Sequence, residues 1–209
     1  MTIIALVGAV VFLVVSGTGA RAITWVRAQG ADNPQSGLRI SLGPGGDLPP
    51  PSKYDPWTSY LAPESVCPGR TDGDAPPAAQ ERAAICLLNY ARERKGLAAL
   101  PHWERTSAWS ALKASDIARC EDFSHTPCGE PFARHARGAG FTGGLGENIA
   151  MSTRVYMTPL DAVDGWLNSE HHRENLFRRE WERQGIAVLH LDEFDARRDA
   201  AIWVSEFAS

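Results

Sequence analysis

A single domain mixing α-helix and β-strand is the fold this sequence predicts, and three observations carry that expectation. Apolar residues recur at helical spacing in two stretches between residues 77 and 120. The segments GIAVLHL at 185–191 and AIWVSEF at 201–207 alternate, with β-branched and aromatic residues on one side. A chain of 209 residues that is 44% hydrophobic is long enough for one real core.

The N-terminus carries the apolar run IIALVGAVVFLVV from Ile3 to Val15, then small residues and Ala20-Arg21-Ala22, which has the form of a signal-peptidase site. Residues 1–22 are therefore expected to be an export signal. No Lys or Arg precedes the run, and extending it to Ala20 approaches the ~20 residues of a membrane span, so an uncleaved anchor is the alternative. In both cases the remainder is expected outside the cytoplasm, secreted or in the cell envelope. Residues 23–75 read as a linker or arm: from Gly30 to Pro77 the composition turns to Pro, Gly, Ser and Asp, with PPP at 49–51, and cannot bury a core of its own. Within it, Tyr54, Trp57, Tyr60 and Leu61 are apolar enough to dock on the domain that follows.

That domain is expected over 76–209. Its first helix starts at Asp74-Ala75-Pro76-Pro77, runs through Ile85, Leu88 and Ala91, and stops at Gly96, with Leu97 packing back. A second helix spans Thr106 to about Cys120 with Ala108, Ala111, Leu112 and Ser115 as its buried stripe. The loop EDFSHTPCGE follows, then a short helix opened by Pro131 and closed near Gly138, then the glycine-rich turn GAGFTGGLGEN. Thr158-Pro159 with Asp161 has the pattern of a capping box, and the helix it starts buries Ala162, Val163, Trp166 and Leu167 and ends near Asn168. Ser169 can cap a further short helix holding His171 and His172 in its first turn. The two alternating segments at the end, separated by the charged loop DEFDARRD, pair antiparallel.

Charge and cysteines restrict the function classes. With 21 Lys and Arg against 25 Asp and Glu there is no broad positive field, and RERK at 92–95 complements a helix C-terminus, so nucleic acid is not an expected partner. Four cysteines, an even number, suit an oxidising compartment. The expected pairs are Cys67 with Cys86 and Cys120 with Cys128. Three pairings are possible in principle, and zinc is the competing reading, which no CxxC supports.

Three signatures stand in order: Phe123-Ser124-His125, then Gly146-Glu147-Asn148-Ile149-Ala150, then Trp166-x-x-Ser169-x-x-His172-Arg173-x-Asn175. With LLNYARERKGL at 87–97 and the closing strands, they resemble the bacterial branch of the CAP superfamily, domains of the cysteine-rich secretory and pathogenesis-related type. The resemblance covers roughly residues 80–208. It implies an α+β fold, an α-β-α three-layer sandwich with a central antiparallel sheet and a cleft lined by His125, Glu147 and His172. Eukaryotic members carry a second glutamate three residues after the tryptophan, where this chain has Ser169.

Two imidazoles and one carboxylate make a three-ligand set, so His125, Glu147 and His172 are the candidate ligands for zinc or another divalent ion, held weakly because Ser169 is a poor ligand. The competing reading of the trio is a hydrogen-bonded network bracing loops. Ser124, Asn148, Ser169, Arg173 and Asn175 are supporting residues, with Arg173 and Asn175 as loop-bracing donors. His171 is expected to face solvent, and His102, His135 and His190 to be surface or strand-end residues. No HExxH, no GxSxG elbow and no phosphate loop is present, and Gly143-Gly144-Leu145-Gly146 is expected to turn the backbone sharply toward Glu147. The leading functional expectation is an exported, non-catalytic module whose cleft accepts a lipid, a small ligand or a divalent ion. Against it stand a metal-dependent hydrolase using the same trio, and a structural cell-envelope module.

Overall fold

A computed structural model describes residues 21–23, 39–41, 56–153 and 157–209. The apolar run Ile3–Val15, PPP at 49–51 and Tyr54 lie outside the described residues. Among the described residues, no helix is long and apolar enough to cross a membrane. Two short strands, β1 (Arg21–Ile23) and β2 (Arg39–Ser41), pair antiparallel. The body then runs α1 (Pro77–Arg94), α2 (Glu104–Cys120), α3 (Arg134–Gly138), β3 (Leu145–Thr153), α4 (Pro159–Asn168), α5 (Glu170–Leu176), β4 (Arg183–Phe194) and β5 (Arg197–Ala208).

The three long strands form one antiparallel sheet in the order β3-β5-β4, so the last strand in the chain is the central one. Alternation along each strand sends neighbouring side chains to opposite faces, and each face meets its own helices. On one face Ala150, Ile186, Val188 and Trp203 pack with Leu87 and Leu88 of α1, Val163, Trp166 and Leu167 of α4, and Leu176 of α5. On the other, Ile149, Met151, Ile202 and Val204 pack with Ala114 and Ile117 of α2. The outcome is the expected three-layer α-β-α sandwich. Two buried indoles also spend their N–H groups, Trp166 Nε1 on the Ile149 carbonyl at 3.2 Å and Trp203 Nε1 on the Met157 carbonyl at 3.0 Å, so neither leaves an unpaired donor in the core.

Local sequence explains the helix ends. Pro77 occupies the first turn of α1, where a missing N–H is harmless, and Gly96 at φ +75° ends it, letting the Leu97 N–H reach back to the Arg92 carbonyl at 2.9 Å. The Thr158–Asp161 capping box is present as read, and α4 buries Ala162, Val163, Trp166 and Leu167. Both expected disulfides are formed, and no cysteine is free. The arm is packed on the body from residue 57 onward: Leu61, Ala62 and Cys67 belong to the core, with Trp57 and Tyr60 against it.

Several expectations need correction. The buried stripe of α2 is Thr106, Trp109, Ser110, Lys113, Ala114, Asp116 and Ile117, whereas Ala108, Ala111, Leu112 and Ser115 are exposed, Leu112 at 49%. Small side chains carry little apolar area, so the periodicity of alanines misled; Trp109 and Ile117 set the phase. Pro131 opens a turn rather than the helix, and α3 begins at Arg134. Leu145-Gly146-Glu147-Asn148 are not a sharp turn but the start of β3, a whole strand that reading the glycines as punctuation concealed. Glycine is needed at 146 for space, because a side chain there would collide with Asn175 and Trp181. The loop DEFDARRD is mostly strand, with only Asp195 and Ala196 at the hairpin tip, both at positive φ.

Candidate functional site

The site is assembled at the edge strand β3 from both helical layers. Strand alternation places Glu147 on the face covered by α2 and sends Asn148 to the opposite face, toward α5. From α2 comes Lys113, a residue that the sequence reading passed over. Its ammonium lies 3.5 Å from Glu147 Oε2 and donates to the carbonyls of His125 at 2.7 Å and Phe132 at 3.0 Å. The loop closed by the Cys120–Cys128 disulfide presents His125, whose Nδ1 is 2.7 Å from Glu147 Oε1. Glu147 is thus hydrogen-bonded at Oε1 and ion-paired, without a hydrogen bond, at Oε2. The side chains of Lys113 and Glu147 are 3% and 1% exposed, while that of His125 is 38% exposed, so the imidazole is the part of the network that solvent reaches.

A second carboxyl group lies directly across the ladder. Glu206 of β5 is the register partner of Glu147, and Gly185 of β4 is its partner on the other side. Burial, then the neighbouring Glu147 carboxylate, push its pKa up to about 8, with Lys113 opposing. Glu147 Oε2 and Glu206 Oε2 are both buried without a hydrogen-bond partner.

On the far side of β3, Asn148 is fully buried, donates Nδ2 to the His172 carbonyl at 3.0 Å and accepts from Asn175 Nδ2 at 3.0 Å. Trp181 Nε1 donates to the Asn175 carbonyl at 2.7 Å, and Arg173 Nη1 to the Leu167 carbonyl at 2.8 Å while lying 4.5 Å from the Trp57 ring. These contacts fix α5 and with it His172. Burial lowers the His172 pKa to about 4, and the nearby His125 and His171 push the same way.

The structure therefore joins His125 and Glu147 directly and sets His172 within electrostatic reach of His125. Asn148, Arg173 and Asn175 each hydrogen-bond to α5, to the end of α4 or to one another. Ser124 Oγ accepts from the Thr126 N–H at 3.2 Å, a local turn contact, and Ser169 stands at the N-cap of α5 without a side-chain capping bond, which corrects its expected role. His171 is exposed. His135 is no surface residue: its Nε2 is 2.8 Å from Asp116 Oδ2, and both side chains are largely buried. His190 lies within β4 rather than at its end, and His102 forms a bridge to Gln184.

The donor set does not fit an ion as arranged. Two groups ligating one zinc at ~2.0–2.2 Å in tetrahedral geometry stand roughly 3.3 Å apart or more. His125 Nδ1 and Glu147 Oε1 are 2.7 Å apart, and the second carboxylate oxygen faces an ammonium. Among the described residues, no group of three or more His, Cys, Asp or Glu is placed to hold a metal ion.

A three-layer sandwich with a histidine–glutamate pair at its edge strand defines a domain of the CAP class. Residues 86–207 match the model of the CAP, or cysteine-rich secretory protein, family, and the chain belongs to that family. It is similar to the YkwD protein of Bacillus subtilis, 28% identical over 157 residues, covering 73% of this chain and 57% of the relative. It is also similar to the membrane protein YlbC of the same organism, 34% identical over 111 residues, 52% of this chain and 31% of the relative. The chain thus spans 57% and 31% of the lengths of these two relatives. Among solved structures, an extracellular SCP-domain protein from Bacillus anthracis superposes with a TM-score of 0.53 at 20% identity, covering 82% of this chain and 46% of that one. An outer surface protein from Borrelia burgdorferi gives 0.51 at 18% identity, covering 60% and 88%. At these identities the likeness concerns the fold.

Proposed function

We propose that this chain is an exported CAP module that binds a small ligand, lipids included, through the exposed edge of His125, and that it does not hold a metal ion with the His125, Glu147 and His172 set. The observation that carries this reading is the closed Lys113–Glu147–His125 chain. Glu147 fixes Nδ1 of the imidazole, so Nε2 is the nitrogen turned to a ligand, suited to accept a hydrogen bond from a hydroxyl or an N–H. A carboxylate already shared between an ammonium and an imidazole has little left to give an ion. The hydrolase reading uses the same pair, with Nε2 as general base, but it needs a nucleophile or a positioned water, and Ser124 Oγ is engaged in its own turn.

Export is supported by the two disulfides and by the structural neighbours, one an extracellular protein and one an outer surface protein. In this reading residues 1–22 are the signal or anchor and 23–75 an arm whose later part docks on the domain. Native mass spectrometry of the exported protein tests the proposal. The expected spectrum shows an organic adduct that weakens in His125→Ala. A stoichiometric zinc adduct lost in each of His125→Ala, Glu147→Ala and His172→Ala overturns it.

A further inference from the structure

The two disulfides occupy unlike surroundings. Cys67 is fully buried in the core, and its bridge to Cys86 ties the arm to α1. Cys120 and Cys128 are half-buried and close a loop of which Phe123, Ser124 and His125 are the centre. Cys128 holds a left-handed backbone, φ +61°, which a residue with a Cβ adopts under strain. Arg119 Nη2 lies 3.0 Å from Cys128 Sγ and is fixed there by Asp116 Oδ1 at 2.8 Å. Asp116 in turn is bound by His135 and lies 3.8 Å from Arg134. Glu121 and Asp122, next to Cys120, and Glu130 are the further acidic groups of this loop and its flank, and Arg134 pairs with Glu130 at 3.5 Å. Among the described hydrogen bonds and ion pairs, no cation contacts the sulfurs of Cys67 or Cys86.

A disulfide sulfur is a poor acceptor, and a thiolate is a strong one, so the Arg119 contact favours the opened form over the closed one. We propose that Cys120–Cys128 is a thiol-exchange site, opened by an extracytoplasmic dithiol, and that opening frees the loop which holds His125 against Glu147. The dithiol's thiolate attacks Cys120 Sγ. The Cys120–Cys128 bond breaks, a mixed disulfide forms on Cys120, and Cys128 leaves as a thiolate paired with Arg119. The dithiol's second thiolate then attacks its own bridged sulfur and releases Cys120 as a thiolate. Two electrons pass from the dithiol, which ends as a disulfide, to the two cysteines. The chemistry of opening stands apart from the ligand reading; only the consequence for binding rests on it.

The test uses the intact protein in graded mixtures of reduced and oxidised dithiothreitol, quenched with iodoacetamide and mapped by peptide mass. Cys120–Cys128 is expected to open at a reduced fraction roughly tenfold below that needed for Cys67–Cys86, with Cys128 alkylated ahead of Cys120. Arg119→Gln should slow Cys128 alkylation severalfold, and Arg119→Lys should restore most of it. In a Cys120→Ser, Cys128→Ser double variant that keeps cooperative unfolding, the His125 ring resonances should lose their Glu147-bonded shift. Simultaneous opening of the two bridges, or indifference of Cys128 to Arg119→Gln, overturns the exchange site. An unchanged His125 spectrum in the double variant overturns its control of the loop. Ligand binding is read in none of these arms, so failure of the ligand reading leaves them intact.

Discussion

Glu147 and Glu206 stand opposite one another across the β3–β5 ladder, two buried carboxyl groups with one lysine beside Glu147. Two anions so placed cannot both be stable, and the environment divides their roles: Glu147 takes Lys113 and His125 as partners, while Glu206 keeps its proton, its pKa raised to about 8.

This division has a pH signature. A folded-state pKa above the unfolded value means stability that is full below about 4.5 and lost as pH rises toward about 8. Between pH 6.5 and 7.5 the folded protein should lose about 1 kcal/mol on this account. Glu206→Gln, which keeps the neutral shape, should flatten that slope in urea titrations run across the range. An equal slope in the variant would show that Glu206 is not the group responsible.

His172 acts in the opposite sense. Its pKa falls from 6.5 to about 4, so its contribution is full above pH 6.5 and disappears as pH falls toward 4. Nuclear magnetic resonance titration of the ring protons should place its midpoint near 4. A midpoint near 6.5 would mean that water reaches the ring freely.

Arg92 is fully buried and has carbonyls for partners, those of Ala98 at 3.0 Å, Leu176 at 2.7 Å and Arg178 at 3.0 Å. Arg92→Ala leaves these acceptors unpaired in the interior and should lower unfolding free energy by about 3–5 kcal/mol. Arg92→Lys, with a charge but no fork, should recover less than half, as measured by denaturant midpoint.

Gly185 lies beneath the first turn of α2, where a methyl group would strike the Ser107 amide and Thr106 Oγ1. Gly185→Ala should therefore lift the helix at a cost of about 1–3 kcal/mol. Because Lys113 rides on that helix, the variant should also shift the His125 ring resonances, while Arg92→Ala in its folded form should not.

The fold was legible wherever apolar pattern and caps agreed. Thr158-Pro159-Asp161 and the two closing strands needed no tertiary information, and His125 with Glu147 followed from ordered motifs. What escaped depended on contacts distant in sequence. β3 escaped because its glycines look like turn residues until Asn175 and Trp181 are seen to press on Gly146. Lys113 and Glu206 escaped although each left a trace. Lys113 shares a face with Trp109 and Ile117 at spacings of four, and Glu206 continues the apolar side of Ile202 and Val204. An ionisable group on a buried stripe signals a partner, but only the folded sheet shows that Lys113 and Glu206 both lie against Glu147.

The sheet also sets an order of events. Its middle strand, residues 197–208, comes after both outer strands, which do not touch each other. A chain delivered from its N-terminus thus emerges with β3 and β4 lacking their common ladder until β5 arrives. Closure of the sheet is then a single late step, because the one strand that hydrogen-bonds to both outer strands is the last to be made.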